Sequence, residues 1–149
     1  MNVAASYLDT SALLKAYINE ATSEDFIAWM LGETEPSISP LSIIELRCAI
    51  NRRARAGLID KRRKASMLAD FDAELAAGHY RLLSWPISVF ETGVELLDHA
   101  GSVSLRALDA LHLAVARHHR CEHFATADRV QAAAAKKLGF AVHTIFDPA

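Results

Sequence analysis

Residues 3–17 read VAASYLDTSALLKAY. Val3 to Leu8 is a short apolar run that stops abruptly at Asp9-Thr10-Ser11, after which Leu13, Leu14 and Tyr17 recur at helical spacing. That order predicts a strand feeding directly into a helix whose start is marked by Asp, Thr and Ser. Outward from this unit the pattern recurs. Ser23 to Leu31 predicts a short helix with acids in its first turn, where the helix dipole favours them. A brief strand is expected at Pro36 to Pro40. A capping box, Ser42 to Glu45, then opens a helix reaching about Ala56. Gly57 breaks it, and Lys61 to Ala77 forms the next helix with Leu68, Phe71 and Leu75 as its stripe, ended by Gly78.

Tyr80 to Trp85 reads as a strand closed by Pro86, and Ser88 to His99 as a helix with Phe90, Val94 and Leu97 inward. After a loop at Gly101 to Ser104, Leu105 to His118 is the most apolar helix of the chain. Glu122 to Ala127 is a strand running into Asp128, Arg129 to Leu138 an Ala-rich helix with Gly139 at its C′ position, and Ala141 to Ile145 a last strand. Strands alternating with helices imply right-handed crossovers and a mostly parallel sheet covered on both faces, an α/β/α sandwich. No linker or repeat interrupts residues 1–149, so one domain is expected.

Composition narrows the class. The 149 residues are 52% hydrophobic, with sixteen Lys and Arg against eighteen Asp and Glu. This excludes collagen-like, low-complexity and acidic disordered proteins and a polybasic tail. Two cysteines, Cys48 and Cys121, form neither a CxxC motif nor a disulfide framework. No basic segment precedes an apolar one at the start, and no apolar run reaches the ~18 residues of a membrane span, so a cytoplasmic protein without membrane attachment is expected. The His118-His119 pair and His123 match no zinc spacing.

Four acids carry the chemistry. Asp9 follows the first strand, Glu45 opens a helix, Asp109 interrupts the most apolar helix, and Asp128 follows the strand before the last. In open α/β sheets the carboxyl ends of strands and the helix N-termini share one edge, where ligands bind. Each acid also has a local explanation: Asp9 and Asp128 as N-caps, Glu45 in its capping box, and Asp109 as an ion-pair partner of Arg106. Together they imply a bound cation, because carboxylates gathered at one edge repel unless one neutralises them. All-oxygen ligation selects Mg²⁺ or Mn²⁺. Such a site suits phosphodiester hydrolysis. Two other readings stand beside it: a phosphohydrolase using Asp9 as nucleophile, although Ser11 stands where a dehalogenase-type enzyme needs a second Asp, and a non-catalytic binding module whose acids only cap helices.

The segments Tyr7-Leu-Asp9-Thr-Ser11-Ala-Leu-Leu-Lys-Ala-Tyr17, Ser42-Ile-Ile-Glu45-Leu, Leu108-Asp109-Ala-Leu-His112-Leu-Ala114 and Ala125-Thr126-Ala-Asp128-Arg, in that order, resemble the PIN-domain family, in particular the VapC-type toxins of bacterial type II toxin–antitoxin pairs. The resemblance implies a PIN-like α/β/α sandwich, Mg²⁺- or Mn²⁺-dependent endoribonuclease activity, a cognate antitoxin as inhibitor, and a homodimer within a larger toxin–antitoxin assembly. On it, Asp9, Glu45, Asp109 and Asp128 match the four family acids. Asp9 and Asp109 would lie nearest the metal. Ser11 and Thr126 would be supporting hydroxyls, and His112 a packed or supporting residue. The region of Phe26, Trp29 and Leu31 would be either core or a groove for an antitoxin helix.

The charge is uneven. Residues 51–64 hold Arg52, Arg53, Arg55, Lys61, Arg62, Arg63 and Lys64 against one acid, Asp60. Setting these seven aside from the sixteen basic residues, and Asp60 from the eighteen acids, leaves nine against seventeen. The chain is thus a slightly acidic body with one basic helical hairpin. Arg52, Arg53 and Arg55 are the candidate contacts to an RNA backbone, which would make binding salt-dependent.

Overall fold

The computed structural model describes residues 4–20, 22–32 and 34–146. Its elements are β1 (Ala5–Leu8), α1 (Thr10–Lys15), α2 (Ser23–Gly32), β2 (Glu35–Ile38), α3 (Pro40–Arg55), α4 (Lys61–Ala76), β3 (Arg81–Leu82), α5 (Ile87–Asp98), α6 (Ala107–His118), β4 (His123–Thr126), α7 (Arg129–Lys137) and β5 (Ala141–Thr144). Val3, the expected start of the first strand, lies outside the described residues.

The five strands form one sheet in the order β3-β2-β1-β4-β5, and every pairing is parallel. The chain winds outward from β1 to β3, then crosses back to β4 and β5. The reversal puts the switch point between β1 and β4, the place where open α/β sheets bind ligands. Alternation along the central strands feeds two cores. Leu8 and Ala125 pack with Leu13, Leu46, Ile50 and Phe71 from α1, α3 and α4. Tyr7 and Phe124 face Val89, Leu113 and Ala135 from α5, α6 and α7. These are the three layers expected of a parallel sheet buried on both sides. No helix among the described residues is long and apolar enough to cross a membrane.

Three expectations need correction. The strand expected at Tyr80 to Trp85 shrinks to Arg81–Leu82, because this edge strand pairs only with β2, at Ser37 and Ile38. Helix α3 begins earlier than the capping box suggested: Pro40 occupies the first helical position, Ser39 is the cap, and the Ser39 N–H donates to Ser42 Oγ at 3.2 Å. Glu45 is therefore free of capping duty. Helix α5 is turned by one residue. Val89, Gly93 and Leu96 are buried, while Phe90, Val94 and Leu97 are exposed. Two helical stripes one residue apart compete there, and the one containing Gly93 wins because a Cβ at that position would already lie 3.3 Å from Leu111 Cδ2 of α6. Close approach of α6 requires the smaller face.

Candidate carboxylate site

Asp9 ends β1 at the switch point and caps α1. Its N–H donates to Ala125 O at 3.1 Å, tying it to β4. Its side chain is held from three directions: Oδ1 accepts from Ser11 Oγ at 2.6 Å and from Ala12 N at 2.9 Å, and Oδ2 accepts from Thr126 Oγ1 at 2.5 Å. The two hydroxyls are themselves oriented, since Ser11 Oγ accepts the Ala127 N–H at 2.8 Å and Thr126 Oγ1 accepts the Asp128 N–H at 3.0 Å. With their acceptor sides taken by backbone, both hydroxyl protons point to Asp9. The residue is 5% exposed. Burial pushes its carboxyl above the usual aspartate range, against the opposing pull of His112, Ser11, Thr126 and the Ala12 N–H.

Glu45 faces α6 and α1. Its Oε1 accepts from Thr10 Oγ1 at 2.9 Å and bonds His112 Nε2 at 2.5 Å. His112 is buried, and its other nitrogen, Nδ1, lies 2.6 Å from the Tyr7 hydroxyl, which also meets Ser39 Oγ at 2.9 Å. A carboxylate only accepts, so Nε2 carries the proton toward Glu45. Burial keeps the Tyr7 phenol protonated far above its ordinary range, and in the neutral ring it donates to Nδ1. Burial alone would raise Glu45, but the bond and charge of His112, helped by Thr10 and Arg106, outweigh it and hold this carboxyl below its ordinary value.

Asp109 sits in the first turn of α6, and its Oδ2 pairs with Arg106 Nε at 3.3 Å. Arg106 is largely exposed, so the pair is weak and easily released. Asp128 caps α7 by accepting the Gln131 N–H at 2.9 Å. Gln131 is fully buried, and its Nε2 donates to Asp109 O at 3.0 Å, fastening the first turn of α7 to that of α6.

The structure thus places all four acids at the carboxyl-end edge of the sheet. It joins Asp9 to Ser11 and Thr126, and Glu45 to His112. Each carboxylate is turned toward a protein donor, and among the described residues no three His, Cys, Asp or Glu side chains converge as a set able to hold a metal ion. The donor chemistry fits a hard divalent cation even so: the acids offer only oxygen, both nitrogens of the nearby His112 are occupied, and buried Asp9 is a carboxylate whose ionisation a cation would favour. Tyr7, Thr10 and Gln131 were missed in the sequence. Gln131 left the clearest signal, an amide in an Ala-rich helix three residues after Asp128. Arg52 and Arg55 are exposed, Arg53 is half-buried, and none of the three forms an ion pair among the described residues.

A parallel sheet wound outward from its centre, with acids and hydroxyls where β1 and β4 end, defines an α/β protein with an anionic edge at its switch point. The chain belongs to the PIN-domain family: the family model described as PIN domain matches residues 6–137. It is similar to Ribonuclease VapC47 of Mycobacterium tuberculosis (strain CDC 1551 / Oshkosh), 26% identical over 140 residues that cover 90% of this chain and 92% of that one. Among solved structures, the fold resembles Mycobacterium tuberculosis VapC20, a sarcin–ricin loop cleaving toxin, with TM-score 0.67 and 17% identity over 87% of this chain and 95% of the other. It also resembles a toxin–antitoxin complex from Klebsiella pneumoniae, with TM-score 0.62 and 18% identity over 97% and 100%.

Proposed function

We propose that the protein is a divalent-metal-dependent endoribonuclease, a toxin of the VapC type neutralised by a cognate antitoxin. The observation that carries the reading is Asp9, a carboxylate buried at the switch point, raised above its ordinary range, and braced by Ser11 and Thr126. Membership of the PIN-domain family and the likeness to a ribonuclease support it. The resemblance of the fold to that of a toxin–antitoxin complex supports an antitoxin as partner.

In this reading Asp9 and Asp109 would be the residues nearest a Mg²⁺ or Mn²⁺ ion, and Glu45 and Asp128 would act through water. Such an ion would supply an activated water and charge neutralisation at the phosphate. The chain's own residues do the rest. Ser11 and Thr126 fix the direction of the Asp9 carboxylate. Tyr7 and His112 fix Glu45 in its ionised form. Gln131 sets the first turn of α6 against that of α7. Arg52, Arg53 and Arg55 hold the RNA backbone, and a homodimer within a toxin–antitoxin assembly is the expected oligomer.

The test is Asp109→Asn. In purified protein supplied with Mn²⁺ it should lose RNA cleavage by at least about a hundredfold and lose growth inhibition on expression, with an unchanged circular dichroism spectrum. Full activity in this variant would falsify the assignment. Calorimetric titration of the wild type with Mn²⁺ should give a saturable site that Asp9→Asn weakens.

A further inference from the structure

The turn between α3 and α4 holds features that the carboxylate site does not use. Leu58, at its tip, is 67% exposed although it is a large aliphatic side chain. Two clefts, of about 360 and 430 Å³, open on either side of it and share Arg53 and Leu58. Both fall within the range of about 300–1,000 Å³ common for ligand sites. The first is walled by Leu14, Ala49 and Arg52, the second by Ile18, Asn19 and Arg63.

Their position follows from helical spacing. Glu45, Ala49 and Arg52 stand at i, i+4 and i+7 on one face of α3, and Thr10 and Leu14 at i and i+4 on one face of α1. The clefts therefore continue the α1–α3 seam at whose other end Thr10 donates to Glu45. Arg52 is seven residues beyond Glu45, about 10 Å along the axis.

The lining suits one kind of occupant. Exposed Leu58, backed by half-buried aliphatic walls, can take the face of an unstacked base out of water, guanidinium groups take phosphate, and the Asn19 amide offers a donor and an acceptor to a base edge. Arg63 is held in place by a bond to Tyr17 O at 2.9 Å. Asp60, the acid in the second cleft, is committed to the Arg63 N–H at 2.7 Å as the cap of α4. The surrounding hairpin is strongly basic, so phosphate is favoured there and carboxylate-poor protein segments are not.

We infer that the clefts astride Leu58 form a subsite for the RNA nucleotides flanking the cleaved bond, with a base against Leu58 and the backbone on Arg52 and Arg53. The inference rests on the endoribonuclease reading and adds to it a base contact. The experiment compares binding of a short single-stranded RNA of random sequence with an abasic ribose-phosphate oligomer of equal length, by fluorescence anisotropy in EDTA. The wild type should prefer the RNA by about fivefold, the scale of partly burying one aliphatic side chain. Leu58→Ser should erase that preference while leaving the salt dependence unchanged, because only phosphate contacts release counterions. Arg52→Ala with Arg53→Ala should do the reverse, reducing the salt slope by about 1.4. A preference that survives Leu58→Ser overturns the subsite alone, provided the wild type binds RNA and cleaves it with Mn²⁺. Absence of both binding and cleavage overturns the endoribonuclease reading with it. Leu58-dependent binding of a poly-glutamate peptide, without such dependence for RNA, would assign the clefts to an acidic protein segment and also overturn the inference.

Discussion

Helix α3 carries opposite charges at its two ends and treats them in opposite ways. At the N-terminal end, Glu45 is hydrogen-bonded to Thr10 and to a histidine that is itself bonded to a buried tyrosine. At the other end, Arg52, Arg53 and Arg55 form no ion pair among the described residues, and the helix dipole alone favours them. A charge with several protein partners costs a great deal to disturb and keeps a fixed geometry. A charge without partners is available to a ligand and contributes little to the fold. The acidic edge belongs to the first kind and the basic turn to the second.

The largest effect should come from the fixed end. Asp9→Asn should reduce RNA cleavage by at least about a hundredfold, yet in metal-free buffer the melting temperature of the variant relative to wild type should rise as pH rises from the acid range toward about 8. The reason is the sign of the Asp9 shift. Its carboxyl is raised in the folded state, so above that raised value the native protein bears the cost of an ionised buried group that the unfolded chain does not. As pH falls toward the ordinary aspartate value the native carboxyl is protonated and that cost disappears. Glu45→Gln should behave oppositely, because its carboxyl is held low. That variant is less stable near neutrality, and its deficit fades as acid protonates Glu45 in the wild type. Melting curves across pH, with chelator present, separate the two.

Next in size is His112→Leu. Among the described residues it removes the group that joins Tyr7 to Glu45, leaving the buried Tyr7 hydroxyl with Ser39 and the half-buried Glu45 with Thr10. A loss of about 2–4 kcal/mol is expected in urea denaturation. Arg52→Ala, at the free end of the same helix, should stay within about 0.5 kcal/mol of wild type. Equal losses at both ends would erase the distinction between them.

This contrast also marks what the sequence revealed. Alternating strand and helix signals, with Gly57 and Gly78 at positive φ after α3 and α4, made the three-layer fold legible. The location of Asp9 and Asp128 directly after strands was legible too. What stayed hidden depended on rotation about a helix axis. The inward face of α5 was misread because two stripes one residue apart both have helical period, and contact with Leu111 decides between them. Glu45 looked like a capping residue because Ser42 stands three before it. Ser39 and Pro40 move the helix start, which frees Glu45 to meet His112, 67 residues away in the chain. Long-range pairings such as Tyr7 with His112 leave no local pattern.

A smaller effect is expected at the basic turn. Replacing Arg52 and Arg53 together should weaken RNA binding several-fold at low salt, with the difference shrinking as salt rises. Thermal stability should stay close to wild type. A melting temperature that dropped with the affinity would show that these arginines serve the fold after all.

Gln131 falls between the two kinds and gives the smallest change in stability. Its amide nitrogen is used, donating to Asp109 O, while its Oε1 is buried with no partner among the described residues. A buried acceptor without a donor costs about 1–3 kcal/mol, roughly what the bond on the other side returns. Gln131→Met keeps the volume and removes both, so unfolding free energy should change by less than about 1 kcal/mol. Cleavage should fall further than stability, because the first turns of α6 and α7 lose the bond that sets Asp109 relative to Asp128. The decrease should appear in kcat at saturating RNA with KM little changed, since neither acid is a binding contact to the strand. Parallel losses in stability and kcat would instead make Gln131 an ordinary packing residue, and the amide would then owe its place in an Ala-rich helix to something other than the carboxylates it connects.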